Sequence, residues 1–203
     1  MNKRKINPGD YLLFVLNSYN KSPIKGRTKL QYTMFVSEKE VFQNRQLNKV
    51  KSIFEFEPYN YGPFSKKLIE LIETFYDLGL ISIKEIKTDI LNDDEARDNQ
   101  IFIDNLLQSD NFKRIDNLHK YNTVLYMYPI YSITEKGEDY LKECNIIKKI
   151  GTKKEMRIEH IKHFFMSNSL KISMKYIFIK YPDFTKSPKI RDKILREMEW
   201  KFK

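Results

Sequence analysis

Residues 56–81, FEPYNYGPFSKKLIELIETFYDLGLI, run from a turn through a helix into a strand, and their place in the chain decides the fold. Gly62-Pro63 makes a turn, and Ser65 then stands where a helix N-cap belongs, its hydroxyl able to accept from first-turn N–H groups. Leu68, Ile69, Leu71, Ile72, Phe75, Tyr76 and Leu78 recur at helical spacing, which predicts a helix whose body is core. Gly79 suits the left-handed position after a helix. Beyond it Ile81, Ile83 and Ile86 set against Ser82, Lys84 and Glu85 predict a strand.

Two helices are predicted upstream. The first follows Asn7-Pro8-Gly9 with Asp10 as its expected N-cap and Leu12, Leu13, Val15, Leu16 and Tyr19 on its apolar face. The second begins near Thr28, after Ser22-Pro23 and Gly26 break the first, and turns Leu30, Met34, Phe35, Val41 and Phe42 inward. Residues 43–52 read as a loop, and Ile53, Phe54 and Phe56 alternate too imperfectly for a strand. Downstream, TVLYMYPIYSI is strand-like, and Thr134 is the expected N-cap of the helix EKGEDYLKE. Three more helices follow near 153–167, near 169–181 and from Ser187-Pro188 onward.

Helix, helix, helix, strand, strand, helix is the winged-helix order, in which the third helix enters the DNA major groove and the hairpin reaches the flanking backbone. The motifs GRTKLQYTMF, FEPYNYGPFSKKL, LGLI and YSITEKG, in that order over roughly residues 10–145, resemble the winged-helix regulators related to YwgA. KYPDFTKSPKIRDKIL looks like the tail that archaeal members carry, and YGPFS is similar to the Panacea-type domains of antitoxins. The expected fold class is mainly α with a small β-hairpin (α+β): a winged helix over 1–145 with a helical insertion in the wing at about 88–123. A basic helical extension over 146–203 follows, expected to dimerise or to bind the DNA backbone. The resemblance implies a transcriptional regulator that binds duplex DNA as a homodimer. The alternative is a winged helix used as a protein-interaction module, an antitoxin or adaptor.

Charge sharpens both readings. The net charge is +10, which points to an acidic partner. Residues 1–60 carry 11 basic against 5 acidic side chains, residues 61–145 carry 10 against 16, and residues 146–203 carry 16 against 6. The basic charge thus sits at the two ends, and the middle that holds the third helix and the wing is acidic. An acidic wing tip is repelled by phosphate unless Lys113, Arg114 and Lys120 face the duplex. No apolar run approaches the ~18 residues a membrane span needs, and a single cysteine fits a reducing cytoplasm.

The candidate DNA contacts follow from this order. Tyr59, Asn60, Tyr61, Ser65, Lys66 and Lys67 surround the start of the third helix, where free N–H groups and the dipole favour phosphate. Asn60 carries the amide that can pair with adenine. Glu70 and Glu73 confine that contact to the loop and first turn. Lys25, Arg27 and Lys29 open the second helix, which crosses the backbone in helix-turn-helix docking, and Lys84 lies on the first wing strand. In the tail, Lys148, Lys149, Lys153, Lys154, Arg157, Lys186, Lys189, Arg191, Lys193 and Arg196 form basic clusters.

Signals for chemistry are thin. Glu85-Ile86-Lys87 has the spacing of metal-dependent nucleases, but the upstream acid, Asp77, falls on a helix. His160 and His163 lack a third ligand, His119 is isolated and Cys144 sits at a helix end. There is no P-loop, Rossmann glycine motif or serine-nucleophile elbow. The expectation is a non-enzyme with no metal and no cofactor.

Overall fold

The computed structural model describes residues 7–41, 52–87, 96–98, 100–101, 104–105, 127–144 and 150–199. Among them the protein is mainly helical with a small antiparallel sheet. Helix α1 (Pro8–Asn17) leads through β1 (Ile24–Lys25) into α2 (Arg27–Val41). A hairpin of β2 (Glu57–Tyr59) and β3 (Gly62–Phe64) precedes α3 (Lys66–Asp77). The long strands β4 (Ile81–Lys87) and β5 (Met127–Ile133) follow, then α4 (Glu135–Cys144), α5 (Thr152–Ser167), α6 (Leu170–Lys180), a 3-10 turn at Pro182–Phe184, and α7 (Pro188–Glu199). Between β4 and β5, residues 96–98, 100–101 and 104–105 are helical. Phe42, Phe102, Ile103, Leu106, Leu107, Lys113, Arg114, His119, Lys120, Lys148 and Lys149 lie outside the described residues.

The sheet order is β1-β5-β4, all antiparallel. Ile24, Tyr131 and Ile83 align in one row and turn towards the core. The neighbouring row, Lys25, Ile130 and Lys84, therefore takes the other face.

Helix boundaries follow capping chemistry, with one departure. Helix α1 starts at Pro8, and Asn7, not Asp10, is its N-cap, accepting from the Gly9 N–H at 2.9 Å. Proline lacks an N–H and has the φ that a first helical residue needs. Asp10 is instead buried inside the first turn and accepts from the Tyr140 hydroxyl at 3.1 Å. Ser65 caps α3 as expected. At the other end of α3, Gly79 has φ +70°. Its N–H bonds the Tyr76 carbonyl, and the Leu80 N–H bonds Phe75, the paired bonds of a Schellman turn. Thr134 accepts from the Gly137 N–H at 3.1 Å and donates to the Gly79 carbonyl at 2.8 Å, clamping the start of α4 to the end of α3. A Cβ on Gly137 would meet the Leu80 carbonyl at 2.2 Å, so that close approach requires glycine.

Helix α2 lies at the centre. It packs against α5, α6, β1 and β3, and Thr28 and every residue from Leu30 to Glu38 is buried. The apolar faces of α5 and α6 join the same core as α1 and α2: Ile158, Ile161, Phe165, Met174 and Ile177 are all buried within the chain. These apolar faces are thus covered within the chain itself.

Two largely buried charges fasten this packing. Glu40, near the end of α2, accepts from Tyr176 at 2.8 Å, Tyr181 at 3.1 Å and Arg157 Nε at 2.9 Å, and also from Lys180. Burial alone would raise its carboxyl, but hydrogen bonds from Lys180, Arg157 and Tyr176 hold it at about 2. Lys162 of α5 has no exposed surface and donates to the carbonyls of Leu16 (2.7 Å) and Ser18 (2.8 Å). Just beyond, the chain leaves α1 through Tyr19, Asn20 and Lys21, all with φ between 51° and 56°. A left-handed run of non-glycine residues costs roughly 1–2 kcal/mol each, and Lys162 holds the carbonyls that lead into it.

Both charges have testable consequences. The depressed Glu40 carboxyl contributes stability that is complete above its unfolded value near 4.5 and lost as pH falls towards 2. Glu40→Gln should cost about 2 kcal/mol at neutral pH and remove that part of the acid loss, read by urea midpoints. Burial lowers the Lys162 ammonium to about 7, against the upward pull of Glu159. Between 7 and 10.5 the unfolded chain holds a proton that the native protein has released. Stability should therefore rise with pH in that window, and Lys162→Met should flatten the rise between pH 7 and 9.5.

Candidate nucleic-acid interface

The turn before α3 and the start of that helix are held to α2 from behind. Ser65 is buried, its N–H bonded to Gln31 Oε1 at 3.0 Å and its carbonyl to Gln31 Nε2 at 3.1 Å. Its hydroxyl accepts from Leu68 N at 3.0 Å and donates to the Phe54 carbonyl. Every polar group of Ser65 is thereby satisfied within the protein. Tyr59 is buried against Phe64, with ring centroids 5.0 Å apart. The Tyr32 hydroxyl donates to the Tyr61 carbonyl, which fixes the turn. Of the residues expected at the reading head, Tyr59 and Ser65 are structural, while Asn60, Tyr61, Lys66 and Lys67 are partly exposed. Lys67 is paired with Glu55 at 2.9 Å.

The start of α2 is also occupied. Asp98, from the helical residues between β4 and β5, accepts from the N–H of Arg27 at 2.7 Å and of Thr28 at 2.8 Å. Burial raises its carboxyl, while the Thr28 and Arg27 donors pull it down. A carboxylate thus sits where the helix dipole and free N–H groups would favour a phosphate. Gly26, at φ +89°, makes room, since a Cβ there would lie 2.7 Å from Asp98 Oδ2. Arg27 is buried, and the Lys29 ammonium donates to the Asn168 carbonyl at 2.7 Å. Lys25 alone of this trio is exposed. It shares a sheet row with the exposed Lys84, on either side of Ile130, which sets their backbones about 10 Å apart.

The tail adds what linear order hid. Thr185 bridges to Tyr59 as a parallel strand partner, the Lys186 N–H bonds the Tyr59 carbonyl at 2.9 Å, and Lys186 Nζ lies 4.7 Å from the centre of the Tyr59 ring. The basic stretch from Lys186 to Arg196 therefore begins beside the turn that precedes α3. Lys186, Lys189, Lys193 and Arg196 are exposed. A cleft of about 310 Å³ opens at this seam, lined by Tyr61, Arg97, Gln100, Met174, Lys193 and Ile194. Gln100 donates to Asp104 at 2.9 Å, and burial, with the nearby Asp104 carboxylate, raises the Tyr61 phenol.

The remaining sequence candidates stay apart. His163 packs against Tyr19 with centroids 4.9 Å apart and the rings tilted by 43°, and His160 is exposed one turn before it. Cys144 is half-buried. Glu85 is exposed on β4, and Asp77 ends α3. Among the described residues no three His, Cys, Asp or Glu side chains converge to hold a metal, and no helix is long and apolar enough to cross a membrane.

No family model, no curated protein and no solved structure matches this chain.

Nothing in the sequence marks Asp98, because its partners lie about seventy residues upstream and an acid within an acidic run carries no distinguishing sign. Asp98→Ala should leave the Arg27 and Thr28 N–H groups without their acceptor and lower stability by about 1–2 kcal/mol. Asp98→Asn, which keeps an acceptor oxygen, should recover part of it in the same urea titration.

Proposed function

We propose that the protein binds duplex DNA on a winged-helix scaffold, gripping phosphates with its basic C-terminal segment and sheet lysines. The scaffold reading is supported by the element order α1, β1, α2, α3, β4, β5 together with the strand order β1-β5-β4. The β2–β3 hairpin and the insertion between β4 and β5 are additions to that plan. One observation carries the choice of surface: Lys186 is seated on Tyr59, so exposed cations of α7 flank the turn before α3. The body of α3 exposes Glu70, Glu73 and Asp77, which disfavours insertion of that helix into a groove. Backbone contact without deep base reading is the mode this charge pattern fits. In this reading the protein acts as a regulator. The homodimer expected of such regulators would use Ile172 and Ile179, exposed seven residues apart on α6.

The test is fluorescence anisotropy with a labelled random-sequence duplex across a salt series. Affinity should fall steeply with salt, and Lys186→Ala/Lys189→Ala/Lys193→Ala should weaken binding at least about tenfold. The same variant should reduce the salt slope by about one for each phosphate-binding lysine removed. Lys66→Ala/Lys67→Ala should do less. Absence of binding, or a triple variant that binds like the parent, overturns the proposal.

A further inference from the structure

The outer face of α3 is left unused by DNA contact through the tail, and its composition is specific. Of the seven apolar side chains that mark this helix, only Leu68 and Ile72 are buried; Leu71 and Phe75 pack partly against the core. The expectation that the helix body is core holds for that one face. Tyr76 and Leu78 are each 51% exposed, and Ile69 is partly exposed. Glu70, Glu73 and Asp77, spaced by three and four residues, fall on one stripe opposite the buried face. None of these three carboxylates has an ion pair among the described residues. Lys66 lies one turn before Glu70, and Lys136 donates to the Leu78 carbonyl at 2.8 Å. The face therefore joins three uncompensated negative charges to flanking apolar surface, on a chain whose net charge is +10.

We propose that this face of α3 is a docking surface for a partner protein presenting a basic segment that carries large apolar residues. Like charge makes the stripe repel phosphate, so a nucleic acid does not fit it. The exposed Ile172 and Ile179 of a second copy are taken up in the homodimer proposed above, and its α7 offers cations but no apolar anchors. Ile194 is buried there, and Ile190 and Leu195 pack against the core of their own protomer. A separate protein whose Lys or Arg residues meet Glu70, Glu73 and Asp77, with aromatic or aliphatic side chains against Tyr76 on one flank and Leu78 on the other, satisfies both features. Complementary charge would steer the encounter and the flanking apolar contacts would supply most of the affinity.

The experiment selects random displayed peptides on the full-length chain, with counter-selection on Glu70→Lys/Glu73→Lys/Asp77→Lys. Selected sequences should be rich in Lys and Arg with bulky apolar anchors. As synthetic peptides they should bind the triple variant and Tyr76→Ala/Leu78→Ala at least about thirtyfold more weakly. Melting temperatures of both variants should match the parent, because the altered side chains are exposed. Peptides that bind parent and triple variant equally, acidic winners, or no enrichment overturn the proposal. Self-association in sedimentation velocity that the triple variant abolishes assigns the face to a second copy, which also overturns it. So does loss of duplex binding in the triple variant, which gives the face to DNA. Failure of the parent to bind duplex at all leaves the peptide result intact, so the two proposals fail separately.

Discussion

The burial of α2 is the constraint on which the rest of the structure depends. A helix enclosed by its neighbours must satisfy its polar groups inside the protein, because an unmatched one costs about 1–3 kcal/mol. Helix α2 carries many of them, and most are met by surrounding segments. Arg27 and Thr28 take Asp98 from the stretch between β4 and β5. Lys29 takes the Asn168 carbonyl between α5 and α6. Gln31 takes both backbone groups of Ser65, and Tyr32 takes the Tyr61 carbonyl. Glu38 accepts the N–H groups of Ile53 and Phe54 at 3.1 and 3.2 Å. Glu40 gathers α5 and α6. The hub thus fixes the position of these surrounding segments by directional bonds rather than by apolar contact alone.

That arrangement redistributes the candidate site. Residues at the starts of α2 and α3, where free N–H groups and nearby cations suggested phosphate contact, are largely committed to the hub. What remains outside is a division of charge: cations of α7 beside the hairpin turn, two lysines across the sheet, and carboxylates along α3. The division is already present in the chain as basic ends and an acidic middle. Folding turns it into separate faces.

Local chemistry was readable residue by residue. Ser65 caps α3, Gly79 ends it, Thr134 opens α4 and Ser187-Pro188 opens α7 because each rule involves groups only a few bonds apart. The strands at 81–87 and 127–133 were visible for the same reason. The β2–β3 hairpin was not, since its three-residue strands are too short to show a period, and Glu57–Phe64 is held by pairing and by Tyr32. Nor did α2 announce its burial. Its sequence is polar on average, which suggests a half-exposed helix until the partners of Gln31, Glu38 and Glu40 are known.

The sequence by itself determined the order and ends of the main elements, the mixed α and β class, and the segregation of charge along the chain. Those depend on capping, periodicity and composition, all of which act over a few residues. Only the tertiary structure decided that Asp98 closes the start of α2, that Lys162 reaches the end of α1, and that Lys186 lies on Tyr59. It also decided that α3 keeps most of its apolar and acidic side chains at the surface. These contacts join residues roughly seventy to a hundred and fifty positions apart, and no local pattern encodes which distant group a buried carboxylate, ammonium or carbonyl will meet. The first two are set by the requirement that polar groups enclosed by packing find partners.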